Sequence, residues 1–357
     1  SMVTISRIRY SRRFDLIKAG FVISISGLII LFSIYMLEKC LIDVSNLLIV
    51  KNSAYILLNG IISSMIALGT LPLFESTFQI ITPYGLAELA DHNQPLLKRL
   101  QIEAPGTYHH SLMVSNLCEA AAEAIGANPI LARVGAFYHD IGKLKRPLFF
   151  VENQSYFGIE NPHTKLNPRL SKMVITAHPK DGVELAKEYH LPSIINSFIL
   201  QHHGEGLAKY FYNQAVQEEG IENVKEEQFR YTGPKPNMKE TAILMIADAV
   251  ESAVRSLKNP TPEEIDNIID KIIVERLNDS QLADSPLTLH DIKVIASTFS
   301  RILRGMQHNR IKYQENIVEE FSKNKIKMPA KLLDEDLENK ISQLEEQDEG
   351  KKKADGN

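Results

Sequence analysis

The chain has 357 residues, 40 basic and 44 acidic side chains, a formal net charge of −4, and 24% charged against 44% hydrophobic residues. That length suggests two or three structural units, and the slightly acidic balance gives no whole-chain reason to expect a nucleic-acid polymer as partner. Two cysteines, Cys40 and Cys118, cannot build a disulfide framework and show no CxxC spacing, so thiolate zinc and iron–sulfur chemistry is excluded and a reducing compartment fits.

The first 16 residues form a basic segment containing Arg7, Arg9, Arg12 and Arg13, with Lys18 just beyond. Ser1 ahead of Met2 reads as a cloning remnant, and a chain starting just before an apolar stretch reads as the end of a longer membrane protein with further helices upstream. Two uncharged stretches follow, 19–37 and 52–74, within a membrane region spanning 17–75. Each is long enough to cross a bilayer, and the lack of ionised groups avoids a penalty of roughly 2.5–3.5 kcal/mol per central charge. Two other readings stay open: a signal peptide for the first stretch, and a pair of buried core helices, since the second contains Asn59, Gly60, Ser63, Ser64 and Pro72. In a membrane those small residues suit helix packing. The positive-inside rule then places the N-terminus in the cytoplasm, and two crossings make 76–327 a cytosolic domain.

From Ala87 onward apolar residues recur at three and four, as in 112–127 and 242–257, which predicts helices. Thr261, Pro262 and Glu264 carry a helix-start signal, and Thr288 with Asp291 repeats a capping box. Polar, Pro/Gly-marked loops are expected at 146–171 and 231–240, giving an all-α domain. Residues 328–357 read as a charged helix running into a disordered tail.

Nine of the eleven histidines lie between His92 and His203. His110, His139-Asp140, His178 and His202-His203 have suggestive neighbours, and Asp248 places a carboxylate in an otherwise apolar helix, where it needs a partner or a cation. Imidazoles with a few carboxylates suit Fe, Mn, Co or Zn. Neighbouring side chains on a helix diverge by about 100°, so Asp140 can offer an oxygen to each of two metals while His139 binds one. A two-metal centre suits phosphodiester hydrolysis.

The ordered series His110, His139-Asp140, His178, His202-His203 and Asp248 resembles the HD-domain metal-dependent phosphohydrolases. APGTYHHS (104–111), RVGAFYHDIGK (133–143), FFVENQ (149–154), QHHG (201–204) and FRYTGPKP (229–236) resemble, more narrowly, the membrane-anchored seven-transmembrane HD phosphodiesterases of bacteria, the PgpH type. The resemblance covers about 80–310 and implies a helical HD bundle with a dinuclear site, Mn or Fe being the expected metals, in a multi-pass protein of the bacterial cell membrane. It implies His110, His139, Asp140 and Asp248 as ligands of one metal, and bridging Asp140, His178, His202 and His203 as ligands of the other. His109 competes with His110, which is preferred as the histidine directly before Ser111. His92, His163, His190, His290 and His308 lack such context.

The implied reaction is attack of a metal-bridging hydroxide on cyclic di-AMP, giving linear pApA. Lys143 and Arg255 are the candidate phosphate-binding cations. With no Trp in the chain, adenine contacts fall to residues such as Tyr108, Tyr138, Tyr156, Tyr210 and Tyr231. Glu205 and Gly206 depart from the small hydroxylated residues common at those places, which adds an acid near the expected nucleotide. Cyclic di-GMP, (p)ppGpp or a catalytically weak nucleotide sensor are the alternatives, although no Gly-Tyr-Pro follows His139-Asp140. The partners are the dinucleotide, the lipid bilayer and upstream membrane helices, and a homo-oligomer is compatible with this reading.

Overall fold

The computed structural model describes residues 13–41, 45–78 and 80–324. Two long apolar helices come first, α1 (Arg13–Leu41) and α2 (Asn46–Phe78). Both outrun the uncharged stretches in the sequence, because a few flanking charges do not end a helix: Glu38 and Lys39 lie in the last turn of α1, and Lys51 sits within α2 near the Tyr55 ring. The apolar windows Ile17–Cys40 and Asn46–Glu75 have mean hydropathies of 2.3 and 1.8 and are only 17% and 11% buried. A core helix would hide such a surface, whereas Phe21, Ile29, Leu37, Leu58 and Ile66 all stand exposed. The two helices cross closely at small residues. A Cβ on Gly20 would lie 2.7 Å from the Gly60 carbonyl oxygen, and one on Gly60 equally near that of Gly20, the close backbone approach that small residues permit between membrane helices. Of the basic cluster read as orienting the first span, Arg7, Arg9 and Arg12 lie outside the described residues, as does the tail 328–357.

The rest of the chain is helical: α3 (Pro83–Leu89), α4 (Pro95–Glu103), α5 (Pro105–Ala124), α6 (Pro129–Tyr138), α7 (Val151–Phe157), α8 (Pro168–Thr176), α9 (His178–Glu188), α10 (Ser193–Gln201), α11 (Lys209–Glu219), α12 (Lys239–Arg255), α13 (Pro262–Asn278) and α14 (Leu289–Asn324). Among the described residues there is no strand, only an isolated antiparallel bridge between Leu207 and Arg230. The predicted caps form: the Thr261 hydroxyl accepts from Glu264 N–H at 3.2 Å and the Glu264 carboxylate accepts from Thr261 N–H at 2.7 Å. Thr288 and Asp291 reciprocate in the same way. The expected loop 146–171 instead contains α7 and the start of α8. The Asn167 side chain accepts from Leu170 N–H at 2.7 Å with Pro168 in the first turn, a start signal hidden in a polar stretch.

Helix α12 is the centre of the fold. Ala242 to Ala247 and Val250 are fully buried, and α5, α6, α10 and α13 surround it, as befits a helix that is apolar on all sides. Complete burial of each large aliphatic side chain contributes about 1.5–3 kcal/mol. A second apolar cluster, including Leu97, Leu100, Tyr138, Ile195 and Ile199, ties α4 and α6 to α9 and α10. Helices α6 and α10 belong to this cluster and also flank α12, and they end beside each other. His139 caps one and His202 the other, with ring centroids 4.9 Å apart.

Candidate metal centre

Five chain segments supply the site. His110 projects from α5, His139 and Asp140 follow α6, His178 opens α9, His202 and His203 follow α10, and Asp248 sits in α12. Contrary to the expectation from the sequence, His139 and Asp140 do not lie on one continuous helix. Helix α6 stops at Tyr138, and a 3-10 turn takes over at Ile141–Lys145. The tighter winding eclipses residues three apart and brings Lys143 back over Asp140. Gly142 lets this turn press against α9, since a Cβ there would lie 1.9 Å from the His178 carbonyl oxygen. That contact draws His178 toward Asp140.

Asp140 is central and almost fully buried. Its Oδ2 lies 3.2 Å from His139 Nε2 and 3.7 Å from His110 Nε2, while Oδ1 lies 3.3 Å from His178 Nε2 and 3.6 Å from His202 Nε2. Asp248 Oδ1 is 2.9 Å from His110 Nε2, and its Oδ2 is 3.7 Å from His203 Nδ1. Two groups of potential ligand atoms result, one from His110, His139, Asp140 and Asp248, the other from His178, His202 and His203, each spanning no more than 4.8 Å.

The hydrogen bonds orient these rings. Nδ1 of His139 donates to Ala136 O at 2.7 Å, Nδ1 of His178 to Ile175 O at 2.7 Å, and Nδ1 of His202 to Ile199 O at 2.8 Å. Each carbonyl lies three residues upstream and fixes the proton on Nδ1, leaving an Nε2 lone pair directed inward. The Nε2 atoms of His178 and His202 consequently face one another at 3.0 Å with no proton between them. His139 Nε2 and Asp140 Oδ1 are buried without a hydrogen-bond partner, and Asp140 Oδ2 is met only by the Lys143 ammonium at 2.8 Å. Orphaned buried acceptors are costly, and a cation between them supplies what they lack. The residues present therefore fit divalent metal.

Charge follows this geometry. Burial disfavours the charged forms of His178 and His202, lowering them to about 4 and about 3, and it holds His203 well below the usual histidine range. Burial also opposes charge on His110, but hydrogen bonds and attraction from Asp248 and Glu251 prevail and raise it to about 9. Burial would raise Asp140, yet the neighbouring His139 and Lys143 hold it well below the carboxylate range.

Lys143 bridges two acids, with Nζ 2.8 Å from Asp140 Oδ2 and 2.7 Å from Glu152 Oε1. Arg255 reaches Glu251 instead of the cluster, at 3.3 Å. Tyr231 lies against it, its ring 4.3 Å from that of His203. Tyr108 turns aside to share a hydrogen bond with His92 Nδ1 at 3.1 Å, and buried Tyr138 donates to Leu89 O at 3.0 Å. His109 is exposed beside Tyr156, so of the histidine pair only His110 joins the cluster. Glu205 is exposed and lies 3.7 Å from Lys235 Nζ, which partly offsets its charge.

Two acids without a role in the sequence reading hold the framework. Glu251 accepts a hydrogen bond from His110 Nδ1, and Glu152 accepts from both Lys143 and the Thr107 hydroxyl. The available signal for Glu251 was its place three residues after Asp248, on the same face of α12.

An HD domain family match covers residues 107–253, and the family described as a 7TM receptor with intracellular HD hydrolase matches residues 1–82. These matches, with two long apolar helices, mark a membrane protein carrying an HD hydrolase domain, and that domain implies a divalent-metal site. The chain is 41% identical over 310 residues to cyclic-di-AMP phosphodiesterase PgpH of Bacillus subtilis (strain 168) and 46% identical over 308 residues to the protein of that name from Listeria monocytogenes serotype 1/2a (strain 10403S). Each alignment covers 86% of this chain and 42% of the relative, so the chain spans less than half the length of these curated relatives. The crystal structure of the L. monocytogenes PgpH HD domain in complex with cyclic-di-AMP matches with a TM-score of 0.58 and 51% identity, covering 60% of this chain and 99% of that one. The chain belongs to the PgpH family of membrane-anchored HD-domain hydrolases.

Proposed function

We propose that this chain is the membrane-anchored catalytic part of a cyclic di-AMP phosphodiesterase that opens one 3′–5′ phosphodiester to give linear pApA. The observation that carries the reading is Asp140, whose two carboxylate oxygens face two separate sets of imidazole nitrogens. In this reading His110, His139, Asp140 and Asp248 hold one metal, and Asp140, His178, His202 and His203 hold the second, with Mn or Fe the expected metals among those that such ligands accept. Two divalent cations in such a site supply an activated water and neutralise the non-bridging phosphate oxygens.

The protein supplies position and field. Carbonyl-anchored Nδ1 protons keep three rings aimed, so little reorganisation accompanies reaction. Lys143 is held beside Asp140 by Glu152 and brings a fixed positive charge to the place where phosphate oxygens gain negative charge. Tyr231 offers a planar surface at the edge of the site for a base. Residues 17–75 form the membrane part, with 76–327 as the hydrolase on its cytoplasmic side. Relatives carrying the same name and the dinucleotide-bound HD structure support the choice of substrate.

The deciding experiment incubates the purified, Mn- or Fe-loaded chain with cyclic di-AMP and cyclic di-GMP separately and resolves products by chromatography. Formation of pApA at a rate well above that of cyclic di-GMP cleavage is expected. Absence of pApA with either metal would sink the proposal.

A further inference from the structure

Next to the cluster, a cavity of about 240 Å³ opens from His203 and Tyr231 toward Leu207, Lys209, Tyr210 and Arg276. Around it, three cations are already neutralised. Lys209 pairs with Glu275 at 2.7 Å, Lys235 with Glu205 at 3.7 Å, and Arg230 with Asp279 at 2.8 Å. Arg276, near the end of α13, differs from them. No described carboxylate forms an ion pair with it, and its Nε is buried without a hydrogen-bond partner. Asp279 is close by but directs its two oxygens to Arg230 and accepts also from Gln281.

The guanidinium is placed on the lip of the site. Nη1 lies 3.3 Å from where a Cβ on Gly206 would stand, and the Gly206 carbonyl accepts from Tyr231 N–H at 2.9 Å. Arg276, Gly206, Tyr231 and His203 thus form a continuous edge from the cavity to the metal-ligand cluster. A partly buried, unpaired arginine is unfavourable unless an anion completes it. Guanidinium is also the side chain whose paired N–H groups best match two phosphate oxygens.

We infer that Arg276 binds the phosphate of the cyclic dinucleotide that is not being cleaved. This rests on the proposed function. A cyclic dinucleotide carries two phosphodiesters on one closed ring, each with one negative charge, so seating one at Asp140 brings the other nearby. The cavity falls below the roughly 300–1,000 Å³ of pockets that enclose a whole drug-sized ligand, so it takes the unreactive half of the substrate and leaves the reacting half over the cluster. Tyr231 and Tyr210 flank the same cavity and offer ring faces to the adjoining base.

The test uses the full chain, Mn-loaded, with Arg276→Gln and Arg276→Lys. Hydrolysis of cyclic di-AMP is compared with that of bis(p-nitrophenyl) phosphate, a diester with no second phosphate, and binding of cyclic di-AMP to the metal-free protein is measured in parallel. Loss of a charge-assisted contact predicts that Arg276→Gln raises KM for cyclic di-AMP about tenfold or more, with a much smaller change in kcat. The preference for cyclic di-AMP over the simple diester falls by a similar factor, the direct binding weakens in step, and Arg276→Lys recovers part of the loss. Unchanged KM and binding, or an equal loss on both substrates, would overturn the assignment. If the wild-type protein fails to cleave cyclic di-AMP, the proposed function falls and the binding isotherm alone judges Arg276. Weaker binding in Arg276→Gln then supports it, whereas indifferent or absent binding overturns it.

Discussion

Glu251 and His110 stand 141 positions apart in the chain and meet by a hydrogen bond from the Nδ1 of the imidazole to the carboxylate, on the side of the ring opposite Asp248. Both are buried. This contact differs from those of His139, His178 and His202, whose Nδ1 atoms use neutral backbone carbonyls. A carboxylate behind a ligating imidazole increases its basicity and fixes its orientation.

Glu251→Gln keeps the shape and a hydrogen-bond acceptor but removes the charge. Metal affinity at the His110 group is expected to weaken by about 10–100-fold, while the His178 group is little affected. Metal titration by calorimetry, followed by metal content after dialysis, separates the two. Unchanged affinity in both groups would contradict this role for Glu251.

Asp140→Ala removes the buried carboxylate whose two oxygens face both ligand groups. It should abolish phosphodiesterase activity and tight metal binding together, because each group then loses an anionic neighbour. Elemental analysis of the purified variant checks the second part. Full activity in Asp140→Ala would move the chemistry elsewhere.

The metal-free protein should be most stable near neutral pH. His178 and His202, at about 4 and about 3 in the fold, lie below the unfolded value of about 6.5, so the unfolded chain binds more protons and stability declines as pH falls from about 6.5 toward 4. His110, raised to about 9, acts oppositely: its contribution is complete below about 6.5 and is lost as pH rises through 9. His203, also held well below the usual histidine range, adds to the acid arm, so three groups act there and one on the alkaline arm, and the acid decline should be steeper. Thermal melts of chelator-treated protein from pH 4.5 to 9.5 test this, and a stability profile flat from pH 4.5 to 6.5 would contradict it.

Gly142→Ala forces a Cβ to within 1.9 Å of a backbone oxygen of His178. Backbone on both sides of the contact leaves little room for relief, so destabilisation should reach or exceed the roughly 1–3 kcal/mol usual for overpacking. Activity should fall as the turn and α9 separate. Denaturant unfolding and a turnover assay measure the two effects, and wild-type values for both would show that the turn can shift at little cost.

Much of this architecture is legible locally. Helical periodicity, the proline and threonine caps and two uncharged stretches are properties of neighbouring residues, and each dictates an element with little help from the rest of the chain. The polar stretch 146–171 reads as a loop because α7 is only seven residues long with no side-chain cap at its start, and only the first turn of α8, capped by Asn167, falls within the stretch. The HD dipeptide was placed on a helix for a similar reason. Apolar periodicity runs up to Tyr138, and nothing nearby in sequence reveals that packing against α9 tightens the next turn.

By itself the sequence determined an all-helical chain with two apolar spans and the set of seven histidines and aspartates suited to a metal centre, because helix type and ligand chemistry reside in local residues. Tertiary structure decided which nitrogen of each ring faces inward, that Asp140 looks both ways, that Glu251 supports His110, and that Arg276 lies unpaired beside the cavity. Those features depend on side chains up to 141 positions apart, brought together only when α5, α6 and α10 close around α12 and α9 packs against α10 and the turn after α6. Their distances, and hence their charges, are set by that packing.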